Sequence, residues 1–544
     1  MTFRNSILLP ILLAAAFLSI QGCLKVGPNF ATPAAPVASK WLEAGNKHFT
    51  DKPANYSAWW KCFGDPDLNR IIDKAYHNNI TLKIAAVNVL QARAELGIAT
   101  GQLYPQMQQA VGSAQFNRFS PYSTMVLFPG ASAFNDYWQD QVGWNEAWEL
   151  DFWGKYRRAI ESSDATWRAS LADYDAALVS LTADAANAYI QIRTLQDRIQ
   201  IARENVKVQK ASLRIAEARF RDGSTSELDV EQAKTVLYNT RATIPVLQQQ
   251  LKQQKDALCT LLGIPPSNIN HLLGGQAKIP VPPPSIAIGI PADLLRRRPD
   301  VRSAELKAAA QCAQIGVAKA DLFPAFSLSG NFDFLATDFA TARLGQMFNA
   351  QASSITAGPS VAWNLFNFGQ ITNNVRAQDA TFQTDLLSYK NTVLTAQQQV
   401  EDYLTGFLRS QQNARSLALA AAAAKRALKL AFIQYENGSV DFTTVLTAHQ
   451  SLLSAQDSLA TALGNIALNL VGVYKSLGGG WEISKGKDIL PPQIKEMMAK
   501  RTNWGDLLSP RRLFATTPQA VRHSQPGLVE AGLIRPNMPL LEKS

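Results

Sequence analysis

Residues 171–220 read LADYDAALVSLTADAANAYIQIRTLQDRIQIARENVKVQKASLRIAEARF, and this stretch decides the fold. A side chain of the apolar stripe recurs every three or four residues from Leu171 to Phe220, without a change of register. About seven heptads in one register predict a long left-handed coiled coil. At about 1.5 Å per residue, the stripe alone is about 75 Å long.

The same register appears a second time, 215 residues later, from Leu386 to Tyr435. Other pairs at this offset are Trp148 and Trp363, Gly154 and Gly369, Gly223 and Gly438, and Gly263 and Gly478. Upstream the offset is 219, as for Pro105 and Pro324, so residues 106–147 contain the only length difference between the copies. A unit of roughly 200 residues is too long for the common solenoid repeats. The chain is therefore a duplicated half-molecule.

Each copy also contains shorter helical patterns. Heptad stripes follow a glycine turn at 230–261 and 445–473, and another helix opens each copy near 67–103 and 293–322. Pro245 is expected to kink the first short stripe, because proline lacks the amide donor. The two short helices of a copy together approach the length of the long helix. This suggests that they stack end to end beside it.

Between the opening and long helices, apolar and polar residues alternate at 138–152, 325–334 and 355–365. Alternating segments of about ten residues are typical of a membrane β-barrel with lipid outside and water inside. A soluble, half-buried sheet is the alternative. Two copies supply four strands, whereas the smallest membrane barrels need about eight. The barrel interpretation therefore requires an oligomer; three chains would supply twelve strands, but the sequence does not fix three.

The first 22 residues have the features of a secretory signal. Arg4 precedes an apolar run from Ile7 to Ile20, which is too short to span a bilayer. Ile20-Gln21-Gly22-Cys23 is similar to a bacterial lipobox, which predicts cleavage before Cys23 and lipidation of its thiol. An ordinary signal peptide with an incidental cysteine is the alternative. Leu24, in place of the Asp that retains lipoproteins at the inner membrane, favours the outer membrane.

Several other classes of protein and site have little support. Cys62, Cys259 and Cys312 form no CxxC motif and are interpreted as buried small hydrophobes rather than a disulfide with a spare thiol. The five histidines are scattered without a metal-ligand pattern. The net charge of +10 is spread along the chain, which indicates solvated helix faces rather than nucleic-acid binding.

Beyond these patterns, the chain resembles the TolC-like outer-membrane efflux factors, in the lipoprotein branch typified by OprM and NodT. The resemblance extends from Cys23 to about Trp481. It depends on Cys23–Phe30 with Pro33, on Trp59-Trp60 with Phe63, Asp65, Pro66 and Leu68, on Pro291–Asp300, and on the turns Phe220–Ser224 and Tyr435–Ser439. Each motif alone is weak, but together and in order they are specific.

The resemblance implies a mainly α duplicated TolC-like fold, with four β-strands and long coiled-coil helices in each protomer. A homotrimer would join a twelve-stranded barrel in the outer membrane to an α-helical tunnel across the periplasm. It implies the outer-membrane channel of a tripartite efflux system: a passive duct that exports small toxic compounds or drugs. An inner-membrane pump, linked by a periplasmic adaptor, would supply the energy. A secreted structural coiled-coil lipoprotein without a pore is the alternative.

The resemblance also divides the chain into segments. The segments are a signal peptide (1–22), a lipid-anchored belt segment (23–65), repeat 1 (66–263), a Pro-rich belt linker (264–290), repeat 2 (291–478), and a C-terminal belt segment and tail (479–544). No cofactor is expected apart from the covalent lipid on Cys23. No catalysis is expected either, because Asp441, Ser439 and His449 have no supporting constellation.

Two sets of functional residues follow from the resemblance. The adaptor-docking tips are Arg221, Asp222, Gly223 and Ser224 in the first copy, and Glu436, Asn437, Gly438 and Ser439 in the second. The periplasmic aperture is assigned to Asp441, Thr444 and Thr447. Relatives often have Asp just beyond the second turn, where this chain has threonines. Opening is therefore expected to depend less on pH or divalent cations than in those relatives.

Overall fold

The computed structural model describes residues 25–43, 45–50, 56–118, 136–274, 278–283, 285–288, 297–338 and 343–510. The predicted signal peptide and the lipidation site at Cys23 lie outside these residues, as do the motif residues 291–296 and the tail from 511. Within the described ranges, no helix combines the length and the apolar character needed to cross a membrane.

Long helices dominate the chain. The helices are α1 (Pro66–Asn78), α2 (Ile80–Gly101), α3 (Lys155–Arg221), α4 (Glu227–Leu261), α5 (Pro299–Ala320), α6 (Gln370–Glu436), α7 (Phe442–Ser476) and α8 (Pro492–Arg501). The long helices α3 and α6 have 67 residues each, and the repeat-related α4 and α7 have 35 each. The predicted duplication of the coiled coils is confirmed.

The expectation of one opening helix over 67–103 is wrong. Asn79 separates α1 from α2: its backbone is not helical, and its side-chain oxygen accepts a hydrogen bond from Leu82 N at 2.8 Å. Asparagine favours such capping positions because its side chain replaces the missing helical acceptor. In the second copy α5 begins at Pro299, and the earlier part of its predicted range lies outside the described residues.

The short helices stack end to end, as the lengths indicated. Asn79 Nδ2 at the start of α2 donates to the carbonyl oxygen of Leu261, the last residue of α4, at 3.0 Å. In the second copy, Arg298 Nη1 before α5 donates to the carbonyl oxygen of Ser476, the last residue of α7, at 2.7 Å. Each contact satisfies a carbonyl at a helix end that has no partner within its own helix.

The strands are β1 (Phe49–Thr50), β2 (Met107–Arg118), β3 (Asp136–Leu150), β4 (Ile286–Ala287), β5 (Ala325–Thr337) and β6 (Ser353–Ala362). The short β1 and β4 pair in parallel, and β2, β3, β5 and β6 form an antiparallel sheet in that order. The predicted strands at 138–152 and 355–365 are real but end earlier, at Leu150 and Ala362. After β6, Leu365 N bonds to Trp363 O and the chain turns.

The copies differ in length by four residues within 106–147, as predicted, and the strand registers locate one of these four. Pro105 matches Pro324 at an offset of 219, whereas the strand registers match Met107 with Ala325 at an offset of 218. One of the four extra residues is Gln106, whose side chain accepts from Glu149 N at 2.7 Å and donates to Glu149 O at 3.2 Å. Gln106 thus supplies the hydrogen bonds that a paired backbone would make.

The heptad positions form the core of the coils. The stripe side chains Tyr174, Leu178, Ile192 and Ile199 of α3 are buried, and so are their counterparts Tyr389, Val393, Phe407 and Ala414 of α6. Helix α4 continues through Pro245. Of the three described cysteines, Cys259 and Cys312 are buried as expected, but Cys62 is exposed. Cys62 lies in a 3₁₀ turn whose other face buries Trp59, Trp60 and Phe63.

Candidate functional site: the two helical hairpin tips

The turns that end the two coiled-coil hairpins have the same geometry. In the first, Gly223 has φ of 70°, Gly223 N bonds to Phe220 O at 3.0 Å, and Ser224 N bonds to Arg219 O at 2.8 Å. In the second, Gly438 has φ of 68° and makes the matching bond to Tyr435 O at 3.0 Å. A positive φ favours glycine, because other L-residues are strained in this conformation.

All eight residues assigned to the docking tips are exposed at the ends of these hairpins. The tips differ in charge: Arg221-Asp222 in the first corresponds to Glu436-Asn437 in the second. The structure therefore brings two turns of equal backbone shape and unequal charge to one end of the molecule.

Arg219 joins the two tips. Its guanidinium carbon lies 4.6 Å from the centre of the Tyr435 ring, and its Nη1 donates to the carbonyl oxygen of Tyr435. Tyr435 is 3% exposed, whereas its counterpart in the first copy, Phe220, is 43% exposed. The second tip thus packs against the first within one protomer, while the equivalent face of the first tip is open.

A small apolar cluster supports this contact. Tyr435 lies against Phe442, with ring centres 5.0 Å apart, and Val230 and Val445 are buried in the same cluster. Burial raises the pKa of the Tyr435 hydroxyl above its ordinary value, so the ring stays neutral at physiological pH. The tips are therefore held together by apolar packing and by the guanidinium group of Arg219.

The residues assigned to the aperture lie on one exposed face at the start of α7. Asp441 precedes the helix, and its carbonyl oxygen accepts from Thr444 N at 3.0 Å. Thr447 donates its hydroxyl proton to the Thr443 carbonyl oxygen, at 2.9 Å. Asp441, Thr444 and Thr447 are each exposed in the protomer. Among these three residues, Asp441 alone has a carboxylate.

Above the tips, α3 and α7 are connected by polar side chains. Arg198 makes two hydrogen bonds to Asp457, at 2.7 and 2.9 Å, and Ser212 Oγ lies 2.8 Å from His449 Nε2. Burial lowers the pKa of His449 to about 4, so the imidazole is neutral at pH 7. A cavity of about 600 Å³ lies between α3, α4 and α7 at this level, with the buried Gln209 in its lining.

The sequence predicted the turns but missed Arg219, which connects them, and His449, which contacts α3 above them. One signal was available: the copies differ where these contacts form. Arg219 corresponds to Gln434, and His449 corresponds to Lys234, although the surrounding heptads agree. A divergence between otherwise matching copies indicates positions where the two halves have different neighbours.

Comparisons with known proteins agree with this architecture. The family model described as "Outer membrane efflux protein" matches the chain twice, at residues 71–264 and 290–479. The two matches correspond to the two copies found in the sequence.

Individual relatives cover most of the chain. Nodulation protein T of Rhizobium leguminosarum bv. viciae is 31% identical over 475 residues, which are 87% of this chain and 94% of the relative. The pyoverdine export outer membrane protein OpmQ of Pseudomonas aeruginosa is 31% identical over 483 residues, 85% of this chain and 96% of the relative. The solved outer-membrane channel OprN has a TM-score of 0.77 at 34% identity, covering 84% of this chain and 99% of its own. The protein therefore belongs to the outer membrane efflux protein family, with a TolC-like fold, and is an outer-membrane efflux channel.

Proposed function

We propose that three copies of this chain form a passive duct, which receives its substrate from an inner-membrane pump through a periplasmic adaptor. Each copy contributes four strands to a twelve-stranded barrel and its long helices to the tunnel below. The chain itself performs no catalysis in this scheme. A lipid on Cys23 adds a second anchor in the outer membrane.

The observation that carries this proposal is the sheet with two free edges. In the described sheet β3 pairs with β5, and these strands come from different copies of the repeat. The edge strands β6 and β2 are the repeat counterparts of β3 and β5, and each pairs on one side only in the described sheet. Unpaired strand edges are templates for pairing with another chain. Joining β6 to β2 of the next copy would close the sheet.

The pairing register between copies follows from the register within one copy. Asn145 lies opposite Asn331 across β3 and β5. Their repeat counterparts are Ser360 in β6 and Ser113 in β2, so Ser360 should lie opposite Ser113 of the neighbouring subunit. Both positions are on the polar face of the sheet, where they would line the water-filled interior.

Cysteine cross-linking tests this proposal. Ser360→Cys with Ser113→Cys should give a covalent trimer on a non-reducing gel of outer-membrane fractions. Ser360→Cys with Gln115→Cys is the matched control, because it moves one partner two residues along the same face and should link poorly. Equal yields from both variants would contradict the register, and a monomer in both would contradict the ring.

The adaptor would contact the exposed turns Arg221–Ser224 and Glu436–Ser439, and the face of Asp441, Thr444 and Thr447 would border the aperture. Both assignments are supported by the position of these residues at one end of the coils. The named relatives include a toluene efflux pump outer membrane protein and a pyoverdine export protein. Because these names describe unlike cargo, we propose that the pump selects the substrate among small compounds and that the duct does not.

The sheet argues against the alternative of a secreted coiled-coil lipoprotein without a pore. The long paired helices fit that alternative, but it gives no role to the exposed sheet face shared by Trp144 and Phe332. These two side chains lie opposite each other across β3 and β5, and both are at least two-fifths exposed. A large exposed apolar face indicates contact with lipid or with another protein.

A further inference from the structure

A cavity of about 600 Å³ lies beside the lower part of the long helix α3, between α4 and α7. Its volume is within the range of about 300–1,000 Å³ that is usual for small-molecule sites in proteins. The floor of the cavity belongs to α3, and its two walls belong to helices from different copies of the repeat. The residues of this cavity have no part in the proposed duct, so an inference about them does not rest on the trimer.

The floor of the cavity contains a buried amide without a partner. Gln209 is 2% exposed, and neither its Oε1 nor its Nε2 has a hydrogen-bond partner among the described residues. Unpaired polar atoms are costly to bury, and native proteins retain few of them. Gln209 therefore has one acceptor and one donor that the protomer itself does not use.

The repeat shows that the coiled coil does not need this amide. The counterpart of Gln209 in α6 is Ala424, which occupies the same heptad position and packs against an apolar cluster. Alanine fills such a position without leaving a polar atom unpaired. Gln209 is therefore a departure of the first copy from the packing pattern, and it occurs at the cavity.

A second departure lies in the wall of the cavity. Pro245 of α4 lies between the lining residues Thr243 and Val246, whereas its counterpart in α7 is Ala460. Proline has no N–H group to donate to the carbonyl oxygen of Arg241, one turn earlier, and its ring crowds that carbonyl. Helices bend at such positions. The cavity therefore lies where α4, unlike α7, has a cause to bend away from its neighbours.

The lining leaves no charge unpaired for an ion. Its two ionised side chains, Arg198 and Asp457, neutralise each other through hydrogen bonds of 2.7 and 2.9 Å. Besides Gln209, the other polar lining residues are neutral amides and hydroxyls: Asn239, Thr240, Thr243, Gln250, Gln450 and Ser454. An ion would lose part of its hydration here without gaining a counterion. This lining therefore favours a neutral ligand.

Apolar side chains form the rest of the lining. They are Val236, Val246 and Leu247 of α4, Leu453 of α7 and Ala202 of α3. Together they offer a short hydrocarbon chain a surface on which it is removed from water, which favours binding. No described residue of the lining is aromatic, so the cavity offers no ring on which a planar ligand would stack.

From these observations we propose that the cavity binds a small neutral carboxamide with a short aliphatic chain. The N–H group of the ligand donates to Gln209 Oε1, and its carbonyl oxygen accepts from Gln209 Nε2, so both unpaired atoms are used. The last side-chain torsion of glutamine is soft, which lets the amide turn toward the ligand. The aliphatic chain lies between Val246 and Leu453. Bound in this way, the ligand contacts α3, α4 and α7 together.

Photoaffinity labelling of the full-length protein in detergent tests this proposal. The probe is a pentanamide with a diazirine on its fourth carbon, which loses nitrogen on illumination and leaves a carbene that inserts into nearby side chains. The corresponding pentanoate has the same size but is an anion at neutral pH, and it serves as the chemical control. Mass spectrometry should find the label of the amide in residues 236–250 and 450–457, with little label from the anion. An excess of unlabelled hexanamide should compete with the probe.

Two variants locate the contact. Gln209→Ala copies the second copy of the repeat, so the fold should be kept, and the loss of two neutral hydrogen bonds should reduce labelling by about tenfold or more. Val246→Trp fills the cavity from its exposed wall and should also prevent labelling. Gln248→Ala is the matched control, since it removes an exposed glutamine of α4 that does not line the cavity, and it should be labelled like the original protein.

Three results would overturn the proposal. The first is equal labelling of the cavity by the amide and the anion, and the second is full labelling of Gln209→Ala. The third is an original protein without enrichment of label at the cavity, which would show that water alone occupies it and that water, rather than a ligand, satisfies the amide of Gln209.

Discussion

The guanidinium carbon of Arg219 lies 4.6 Å from the centre of the Tyr435 ring, and the same side chain donates to the Tyr435 carbonyl oxygen. These residues end the long helices of different copies, so one side chain fixes the first tip to the second. A cation over an aromatic ring contributes about 0.5–2 kcal/mol, depending on exposure. This contact is therefore a direct link between the two tips of one protomer, and a single substitution can remove it.

Arg219→Ala should increase spontaneous openings in planar bilayers, because the second tip loses its fixed contact with the first. Arg219→Lys keeps the cation and should have a smaller effect. Arg214→Ala is the matched control, since it removes an exposed arginine from the same helix five residues earlier. Unchanged opening in Arg219→Ala would show that the apolar cluster around Phe442 closes the tips without it.

Asp175 on α3 should make the folded protein less stable as the pH rises. Burial raises the pKa of this carboxyl to about 7, and the nearby Glu482 raises it further, while Arg302 and Lys485 oppose the shift. A carboxyl whose pKa is higher in the folded state stabilises the fold at low pH, and this contribution is lost as the pH rises through about 7. The loss is up to roughly 4 kcal/mol.

Asp175→Asn should therefore raise the melting temperature at pH 8 and flatten its dependence on pH between about 4 and 7, the interval set by the shift of the carboxyl pKa. Asp184→Asn, an exposed carboxylate on the same helix, serves as the control and should leave the profile unchanged. A profile identical to that of the original protein in Asp175→Asn would rule out this carboxyl as the source.

His449 should have the opposite effect on the pH dependence. Its folded-state pKa of about 4 lies below the ordinary value, so the neutral ring stabilises the fold at pH 7. This contribution declines as the pH falls below the ordinary value and is lost through about 4. His449→Gln can keep a hydrogen bond to Ser212 without titrating, and it should reduce the loss of stability in acid.

Melting curves of the purified protein from pH 7 to pH 4 check this expectation, with His271→Gln as the control because His271 is exposed. If His449→Gln and the original protein lose stability in parallel over this range, the buried imidazole is not what makes the coils sensitive to acid.

Divalent cations should block this channel weakly. Thr444 and Thr447 offer no carboxylate where the second hairpin enters α7, and Asp441 alone supplies the charge of this face. Thr444→Asp with Thr447→Asp would place further carboxylates there, three of each in a trimer, and should make Mg²⁺ or Co²⁺ block the conductance. Thr444→Asn with Thr447→Asn is the uncharged match. Strong block of the unaltered channel would contradict this expectation.

Much of this fold could be predicted from the sequence because it depends on periodicity. The heptads of α3 and α6 and the alternation in β3 and β5 are local patterns, and the offset of 215 exposed the duplication. The break at Asn79 was missed because it interrupts no pattern: apolar residues continue on both sides of it, and one of its hydrogen bonds reaches Leu261, 182 positions away.

Other features required three-dimensional information. Gln106 shifts the strand register by one residue through side-chain bonds to Glu149, which lies 43 positions away in the sequence. Arg219 meets Tyr435 at a separation of 216 residues. Cys62 is exposed although it lies three residues after the buried Trp59, because Trp59, Trp60 and Phe63 fill the buried side of this short 3₁₀ turn. From the sequence, this thiol was expected to be buried.

The central claim is that three copies of this chain enclose one water-filled path through the outer membrane. Single-channel recording of the purified full-length protein in planar bilayers tests it most directly. The account predicts discrete ion-conducting openings from a species that migrates as a trimer before heating and as a monomer afterwards. A purified trimer that inserts into the bilayer and conducts no ions at any voltage would contradict it.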